Sequence, residues 1–315
     1  MAKLSRPRYG SLQFYPRKRI DKFLPSVNWS AVGSEVEGLQ GFIVYKAAMA
    51  SAVVKDMTDK SMTQNKKIVI PVTILEVPHM KIFSIRFYKS GDVIGEVVVS
   101  NDKELKRKLK VPKQIKDFES VKKDFDDVRV IVYSLPKQID LKKTPDLSEI
   151  SINSKDKLEY AKSLIGKEIP FNDFVKNKIV DVRGLTKGKG LQGPLTRFGL
   201  SLKAHKSEKG RRRPGSLAPW HPARVTFRTP MAGQMGLFTR VHYNILMINS
   251  GDIKTRDINP KSGFKHYGKI TSNYIILKGS VQGVPMRQLL LTAPIRPTKA
   301  KKKEKLEFLE LINKK

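Results

Sequence analysis

The stretch from Arg183 to Arg240 most constrains what this chain can fold into, because it carries thirteen Lys and Arg residues and a single acid, Glu208. It is rich in Gly and Pro and poor in runs of β-branched apolar residues. Such a segment cannot bury enough apolar surface to offset its chain entropy and its charge repulsion. We therefore expect it to become ordered on a polyanion, and nucleic acid is the polyanion that fits best.

The rest of the chain supports the same partner. The formal charge is +33 over 315 residues, and a field of that size attracts nucleic acid and opposes compaction of the free protein. With 39% hydrophobic residues the chain is long enough to bury a core. The absence of cysteine excludes disulfides, thiolate metal sites and cysteine nucleophiles.

An anionic membrane would also attract this charge, and an amphipathic membrane helix is conceivable near the C-terminus, but the basic residues elsewhere lie in Gly/Pro-rich sequence that would not form one. The start, MAKLSRPRYG, lacks the apolar segment of a signal peptide, and the apolar run Tyr243 to Ile248 is far too short to span a bilayer. We therefore expect a soluble intracellular protein with no membrane partner.

The N-terminal residues form a basic arm in which proline opposes regular structure. Aromatic side chains between its cations suit stacking on bases, although packing on the protein itself is the commoner outcome. The arm residues predicted to bind RNA are Arg6, Arg8, Arg17, Lys18 and Arg19.

Strand-like and helix-like patterns alternate along the chain and predict a mainly β protein with an α/β insert. Two β halves flanking the insert and the basic stretch suggest a closed β-barrel with long irregular RNA-binding extensions. The predicted divisions are an arm at 1–38, barrel strands at 39–100, an α/β insert at 101–176, a barrel strand at 177–183, a central extension at 184–240, barrel strands at 241–298 and a basic tail at 299–315.

Several local signals are specific. Ser90-Gly91 between two apolar runs predicts a hairpin turn. Asn101 is expected to cap a short helix, Thr144-Pro145 to start another, and Lys155 to Ile165 to form a third. Leu306, Leu309 and Ile312 have the spacing of one helical face, so the tail is expected to contain a short helix.

One glycine pattern imitates a cofactor site. Gly188, Gly190 and Gly193 have the G-x-G-x-x-G spacing after a predicted strand, but the dinucleotide fingerprint also needs these glycines to open a helix, and Pro194 follows at once. A Walker loop is excluded because the spacing is one residue short and no Ser or Thr follows Lys189. We expect no cofactor and no small-molecule substrate.

The residue types that carry catalysis or metals are not arranged for either. No histidine pairs at metal spacing with another histidine or with a carboxylate, so no metal site is expected. Ser216 precedes His221, but no acid follows within thirty residues to orient the imidazole. We predict that the protein is not an enzyme.

The sequence around Trp220 is unusual for a core tryptophan. Pro219 and Pro222 stiffen the backbone beside the indole, and Arg211-Arg212-Arg213 precedes it. This setting favours an indole and an imidazole presented at the tip of a finger, where they stack on or hydrogen-bond to RNA, over burial in a core.

These motifs are those of a known family. GSLAPWHPARV with RTPMAGQMG, together with RGLTKGKGLQG and HYNILMIN, resembles the universal third protein of the large ribosomal subunit in order and spacing. The helix-rich insert resembles the archaeal and eukaryotic branch, and the lack of a long extra tail favours the archaeal one.

The resemblance implies a β-barrel domain on the subunit surface and a central extension that reaches through ribosomal RNA toward the peptidyl-transferase centre, with Trp220 at its tip. It implies a structural, cytoplasmic constituent of the large subunit that supports assembly, has neighbouring ribosomal proteins as partners, and is not a catalyst. The extension residues predicted to bind RNA are Lys187, Lys189, Lys203, His205, Lys206, Lys209, Arg211, Arg212, Arg213, Trp220, His221, Arg224, Arg228, Gln234 and Arg240.

Two other classes of protein share some of these features. A non-ribosomal nucleic-acid packaging protein explains the charge equally well, but it does not explain the Trp-His tip or a large β core. An RNA-modifying enzyme requires a cofactor loop or a general base, and the sequence offers only the glycine pattern that fails.

Overall fold

A computed structural model describes residues 10–33, 36–113, 124–175, 178–206 and 209–312. These residues divide into two compact units: unit 1 is made of residues 1–22 and 185–239, and unit 2 of residues 23–184 and 240–315. The described residues form the strands β1 (Gly38–Leu39), β2 (Gly41–Asp56), β3 (Lys67–Val77), β4 (Met80–Lys89), β5 (Asp92–Val98), β6 (Asp127–Ser134), β7 (Leu147–Asn153), β8 (Ile179–Leu185), β9 (Leu191–Gln192), β10 (Gly233–Gln234), β11 (Thr239–Asp252), β12 (Asn273–Lys278), β13 (Gln288–Thr292) and β14 (Leu306–Ile312). Their α-helices are α1 (Lys157–Ser163), α2 (Asn172–Val175), α3 (Pro194–Phe198) and α4 (Lys299–Lys303). The protein is therefore mainly β with few and short helices.

The larger sheet has the strand order β13-β8-β11-β12-β3-β2-β14. β2 is long enough to pair with different strands along its length: Phe42 to Tyr45 pair with β13, and Ser51 to Asp56 pair with β14. Because β13 pairs with both β8 and β2, the pairings of six strands return to their starting point. Along β2, Ala52 and Val54 are buried and Val53 is not, which is the period-two burial of a strand with one face on a core.

The second sheet has the order β1-β7-β6-β4-β5. Its apolar face shares one core with the larger sheet, since Ile85 and Val130 lie in the same buried cluster as Ile43 and Leu290. The strands from both sides of residue 101 therefore complete one sheet. The Ser90-Gly91 hairpin turn between β4 and β5 is confirmed, and both residues have the positive φ that a tight hairpin turn of this twist requires.

The helical prediction for residues 155–165 is confirmed in its centre by α1. Asp156 caps the helix by accepting hydrogen bonds from the backbone N–H groups of Leu158 and Glu159 at 2.9 and 3.0 Å. Ala161 is buried against the main core, and Gly166 follows the helix with a φ of 73°. Phe118, Val121 and Phe125 have the spacing of one helical face, which predicts a helix there, but Phe118 and Val121 lie outside the described residues.

Three other helix predictions were wrong in whole or in part. Thr144-Pro145 starts no helix, because Ile150 and Ile152 alternate with polar residues and place β7 beside β6. The tail does contain a short helix, α4, but Leu306, Leu309 and Ile312 do not lie on it. They belong to β14, where Leu306, Phe308 and Leu311 pack on the smaller core and a bulge separates Phe308 from Glu310.

The third concerns Asn101. The short helix after it is a single 3₁₀ turn at Leu105–Arg107, and Asn101 does not cap it. Its position is set by Leu105, which is fully buried against Phe83, Tyr133 and Leu135. The position of this 3₁₀ turn is therefore set by the packing of Leu105 and not by a capping residue.

A buried carboxylate holds the loop before β12 in place. Glu76 is fully buried in β3 and accepts hydrogen bonds from the Tyr267 hydroxyl and from the backbone N–H groups of Thr271 at 2.7 Å and Ser272 at 3.0 Å. The carboxylate thus satisfies donors that would otherwise lie unpaired next to the core.

Candidate nucleic-acid interface

Two segments of unit 1 run antiparallel and form the base of the central extension. β9 pairs with β10, and the backbone N–H of Lys189 donates to the Met235 carbonyl at 2.9 Å while that of Met235 donates to Gly190 at 2.8 Å. The N–H of Thr186 donates to Phe238 at 3.0 Å, one step further along. Because of this pairing, the residues between the two segments leave and return side by side.

Close packing at this base requires glycine at position 236. Gly236 has a φ of +77°, and a Cβ there would lie 1.9 Å from the Lys187 carbonyl oxygen and 2.9 Å from the Cα of Gly188. Any side chain would both strain the backbone and separate the two segments.

Arg197 in α3 organises unit 1 from within. Its guanidinium donates to the carbonyl oxygens of Gln234 and Met231, each at 3.0 Å, and to that of Arg17 at 3.4 Å. Arg17 donates in return to the Arg197 carbonyl at 3.3 Å and lies 4.4 Å over the Phe198 ring. Burial, and then the neighbouring charge of Arg17, lower the pKa of the Arg197 guanidinium.

These contacts attach the N-terminal arm to the extension within unit 1. Tyr15 meets Phe227 edge to face at 5.5 Å, and the N–H of Ile20 donates to the Leu237 carbonyl at 3.3 Å. Sequence reasoning missed Arg197 because it treated every cation of the stretch as a phosphate contact or left it unassigned. Its place in a short helix after Gly193-Pro194 was the signal that sets it apart.

Unit 1 has almost no hydrophobic core. Among its described apolar residues only Leu185 and Phe198 are buried, while Trp220 is 88% exposed. The described residues of the unit contain fifteen Lys and Arg side chains and one acid, Asp21. The apolar surface buried in unit 1 is therefore too small to offset the mutual repulsion of its cations.

The predicted contact residues are distributed over this surface. Exposed in the structure are Lys18, Arg19, Lys187, Lys189, His205, Lys206, Lys209, Arg211, Arg212, Arg213, Trp220, His221, Arg224 and Arg228. Lys203 and Arg240 are half-buried, and Arg240 belongs to unit 2. Arg6 and Arg8 lie outside the described residues.

Several of the predicted contacts have partners inside the protein; Arg211, for example, donates to the Lys203 carbonyl at 3.3 Å. Arg17 is bound within unit 1, and the Gln234 amide donates to the carbonyl oxygens of Met235 at 3.2 Å and Gly236 at 3.1 Å. Both side chains stabilise the base of the extension in this conformation.

Trp220 and His221, the residues predicted to form the tip, contact each other. The Trp220 and His221 rings are nearly perpendicular, with their centroids 6.5 Å apart. Arg224 and Arg228 follow on the same exposed segment. The indole therefore presents nearly all of its surface, next to cations, as a base-stacking residue requires.

The glycine motif differs from expectation in one respect. A helix does begin after Gly193, because Pro194 occupies the first helical position, where its missing N–H costs nothing. α3 has only five residues and is followed by Gly199, whose φ is 68°. Among the described residues there is no group of three or more His, Asp or Glu side chains that could hold a metal ion, and no helix there is both long and apolar enough to cross a bilayer.

Comparison with known proteins gives one answer. The family described as Ribosomal protein L3 matches residues 1–95 and 94–314. The large ribosomal subunit protein uL3 of Methanocaldococcus jannaschii is 42% identical over 93% of this chain and 92% of the relative. Those of Archaeoglobus fulgidus and Methanococcus vannielii are 40% and 38% identical, each over 95% of this chain and 94% of the relative.

Proposed function

The chain belongs to the ribosomal protein L3 family, and we infer from this membership that it is an rRNA-binding structural constituent of the large ribosomal subunit, in the cytoplasm, and not an enzyme. The relatives matched over nearly the whole chain are named for that subunit. The family resemblance read from the sequence is confirmed.

We propose that unit 1 supplies the principal RNA contacts. The observation that carries this comes from the described residues of unit 1, which hold fifteen cations and one acid and bury only two apolar side chains. Phosphates relieve the repulsion and replace the missing core contacts. The predicted contact residues named above are the proposed ligands of the RNA, with arginines forking onto phosphate pairs and lysines acting as point charges.

The exposed Trp220 tip fits a role deep in the RNA. A proline-braced indole stacks on a base or fills a gap between helices, so we propose that the central extension reaches toward the peptidyl-transferase centre and orders that region. The protein thereby supports assembly of the subunit.

Unit 2 is proposed to serve as the body that meets the subunit surface. Its ring of six paired strands is the arrangement expected of a closed β-barrel, and its shared core makes it stable without RNA. Neighbouring large-subunit proteins are the proposed partners of its exposed faces, and no small-molecule substrate is proposed.

A salt titration tests the RNA contacts. The full-length chain is bound to large-subunit rRNA over a range of salt concentrations, alongside a variant in which Arg211, Arg212 and Arg213 are each changed to Gln. Since each lost phosphate contact lowers the salt slope by roughly 0.7 to 0.9, we expect a fall of about two to three.

A matched control removes the same charge elsewhere. Lys60, Lys66 and Lys67 lie exposed around the turn between β2 and β3, and changing all three to Gln should leave the slope unaltered. A flat salt dependence for the unsubstituted chain, or equal losses in both variants, would refute the assignment.

A further inference from the structure

A second cluster of cations lies in unit 2 and contains none of the residues assigned so far. The segment 103–108, around the 3₁₀ turn, meets the segment 137–143 that follows β6. The Lys137 ammonium lies 3.5 Å from Glu104, and that of Lys108 lies 3.6 Å from Asp146, so the two segments are held together. A cavity of about 540 Å³ between them is lined by Arg107 and Lys143 among others.

Two acidic residues near these segments, Asp146 and Asp102, have hydrogen-bond partners within unit 2. Asp146 is buried and accepts from the Tyr45 hydroxyl at 2.6 Å besides its contacts with Lys108 and Lys142. Asp102 accepts from the Tyr133 hydroxyl. Asp146 is therefore engaged inside the protein, whereas Asp102 is partly exposed, lies 3.8 Å from Lys81 and offsets a part of the local positive charge.

The outer cations have no such partners. Within the part of the chain that the structure describes, Lys103, Lys106, Arg107 and Lys143 are exposed and contact no carboxylate. Asp140 is the exposed acid among them, so the surface keeps a net positive charge. We call these four cations the insert cluster.

Some cations elsewhere in unit 2 have an acidic partner within the protein. The strands β4 and β6 of the second sheet give two examples. There Arg86 pairs with Glu96 at 2.7 Å and Arg129 with Glu149 at 3.2 Å. These two cations are neutralised by the protein, whereas those of the insert cluster are left for another ligand.

The scaffold under the insert cluster is rigid. Leu105 is fully buried between Lys103 and Arg107, and Ile139 is 7% exposed beside the lysines that follow β6. Unlike unit 1, this surface has a packed apolar base, so the backbone that carries its cations is in place before any ligand binds.

We propose that the insert cluster is a second RNA-binding site, which takes backbone phosphates of large-subunit rRNA; the inference rests on the function proposed above. Several unpaired cations along one surface match a row of phosphates better than a single small anion. The fork of Arg107 suits two phosphate oxygens, and the exposed lysines reach adjacent phosphates. An acidic protein neighbour is the competing occupant that the test must separate.

The first test is a charge-matched salt titration with the full-length chain and large-subunit rRNA. Changing Lys106, Arg107 and Lys143 to Gln should lower the salt slope by about two to three. The variant at Lys60, Lys66 and Lys67 removes the same charge and should not. An equal loss in the two variants would show a non-specific charge effect and overturn the second site.

The second test locates the RNA. Because the chain has no cysteine, a single Cys carries an iron chelate that cleaves nearby strands in assembled subunits. Gln138→Cys, exposed beside Lys137, probes the insert cluster, and Ser216→Cys probes the central extension. We expect both to cut rRNA, at different places.

The outcomes separate the two proposals. Cleavage from Ser216→Cys alone would overturn the second site and leave the proposed function standing. Cleavage from neither would refute the function as well. Scission of a neighbouring polypeptide from Gln138→Cys, without RNA cleavage, would assign the insert cluster to a protein partner and overturn the RNA proposal.

Discussion

Replacing Gly236 by Ala tests whether the antiparallel base of the extension is the RNA-bound conformation. A methyl group there meets the Lys187 carbonyl oxygen at 1.9 Å on a backbone whose φ is +77°. The left-handed backbone costs an Ala residue about 1–2 kcal/mol. Separation of the two segments also breaks the hydrogen bonds from Lys189 to Met235 and from Met235 to Gly190, at about 1 kcal/mol each.

The total is about 3–4 kcal/mol, which equals a loss of roughly 100- to 1000-fold in affinity for large-subunit rRNA if ordering of the extension is coupled to binding. The assay is a filter-binding titration at fixed salt. Because Gly236 is buried, RNA does not contact it, so the effect is conformational.

Gly193→Ser is the matched control. Gly193 has a φ of −69°, space for a side chain, and the N-cap position of α3, where Ser is favoured. We expect its affinity to stay close to that of the unsubstituted chain. If Gly236→Ala binds rRNA as tightly as the control does, the paired base is not the bound conformation and the reasoning fails.

Three further predictions follow from burial and exposure. Trp220→Ala should leave subunit incorporation intact but perturb tRNA accommodation or sensitivity to drugs acting nearby; normal elongation and drug response would remove the role given to the tip. In limited proteolysis the RNA-free chain should be cut within residues 185–239, and assembled subunits should protect them; a resistant segment in free protein would contradict RNA-dependent order. Glu76→Ala should lower the free energy of unfolding by about 3–5 kcal/mol in urea, because it leaves buried donors such as the Tyr267 hydroxyl unpaired, whereas the exposed Glu307→Ala should change it by less than about 0.5 kcal/mol.

The strands were predictable where apolar residues run unbroken or alternate. The runs that became β2, β3 and β4 contain enough Val, Ile and Phe to exclude other structures, and the Ser90-Gly91 turn fixed the pairing of β4 with β5. The helix predicted at Thr144-Pro145 failed because a local start signal is weaker than the burial of Ile150 and Ile152 in a sheet.

Some features of the candidate site were likewise predictable from the sequence, and others were not. Exposure of Trp220 followed from its setting among prolines and arginines. The internal roles of Arg17 and Arg197 did not, because a cation bound to carbonyl oxygens and one bound to phosphate look alike in a sequence. The insert cluster was hidden for a related reason: Arg107 and Lys143 are 36 positions apart and meet only in the fold.

The sequence alone determined the family, the polyanionic partner, and the location of the segment that lacks a core, because charge, composition and motif spacing are properties of the chain itself. Only the tertiary structure decided which cations are used within the protein and which stay exposed. It also decided that the apolar end of the tail is a strand, since β2 offers Leu306 to Ile312 an open edge. Pairing partners across long stretches of chain are set by the packing of the whole, and no local pattern encodes them.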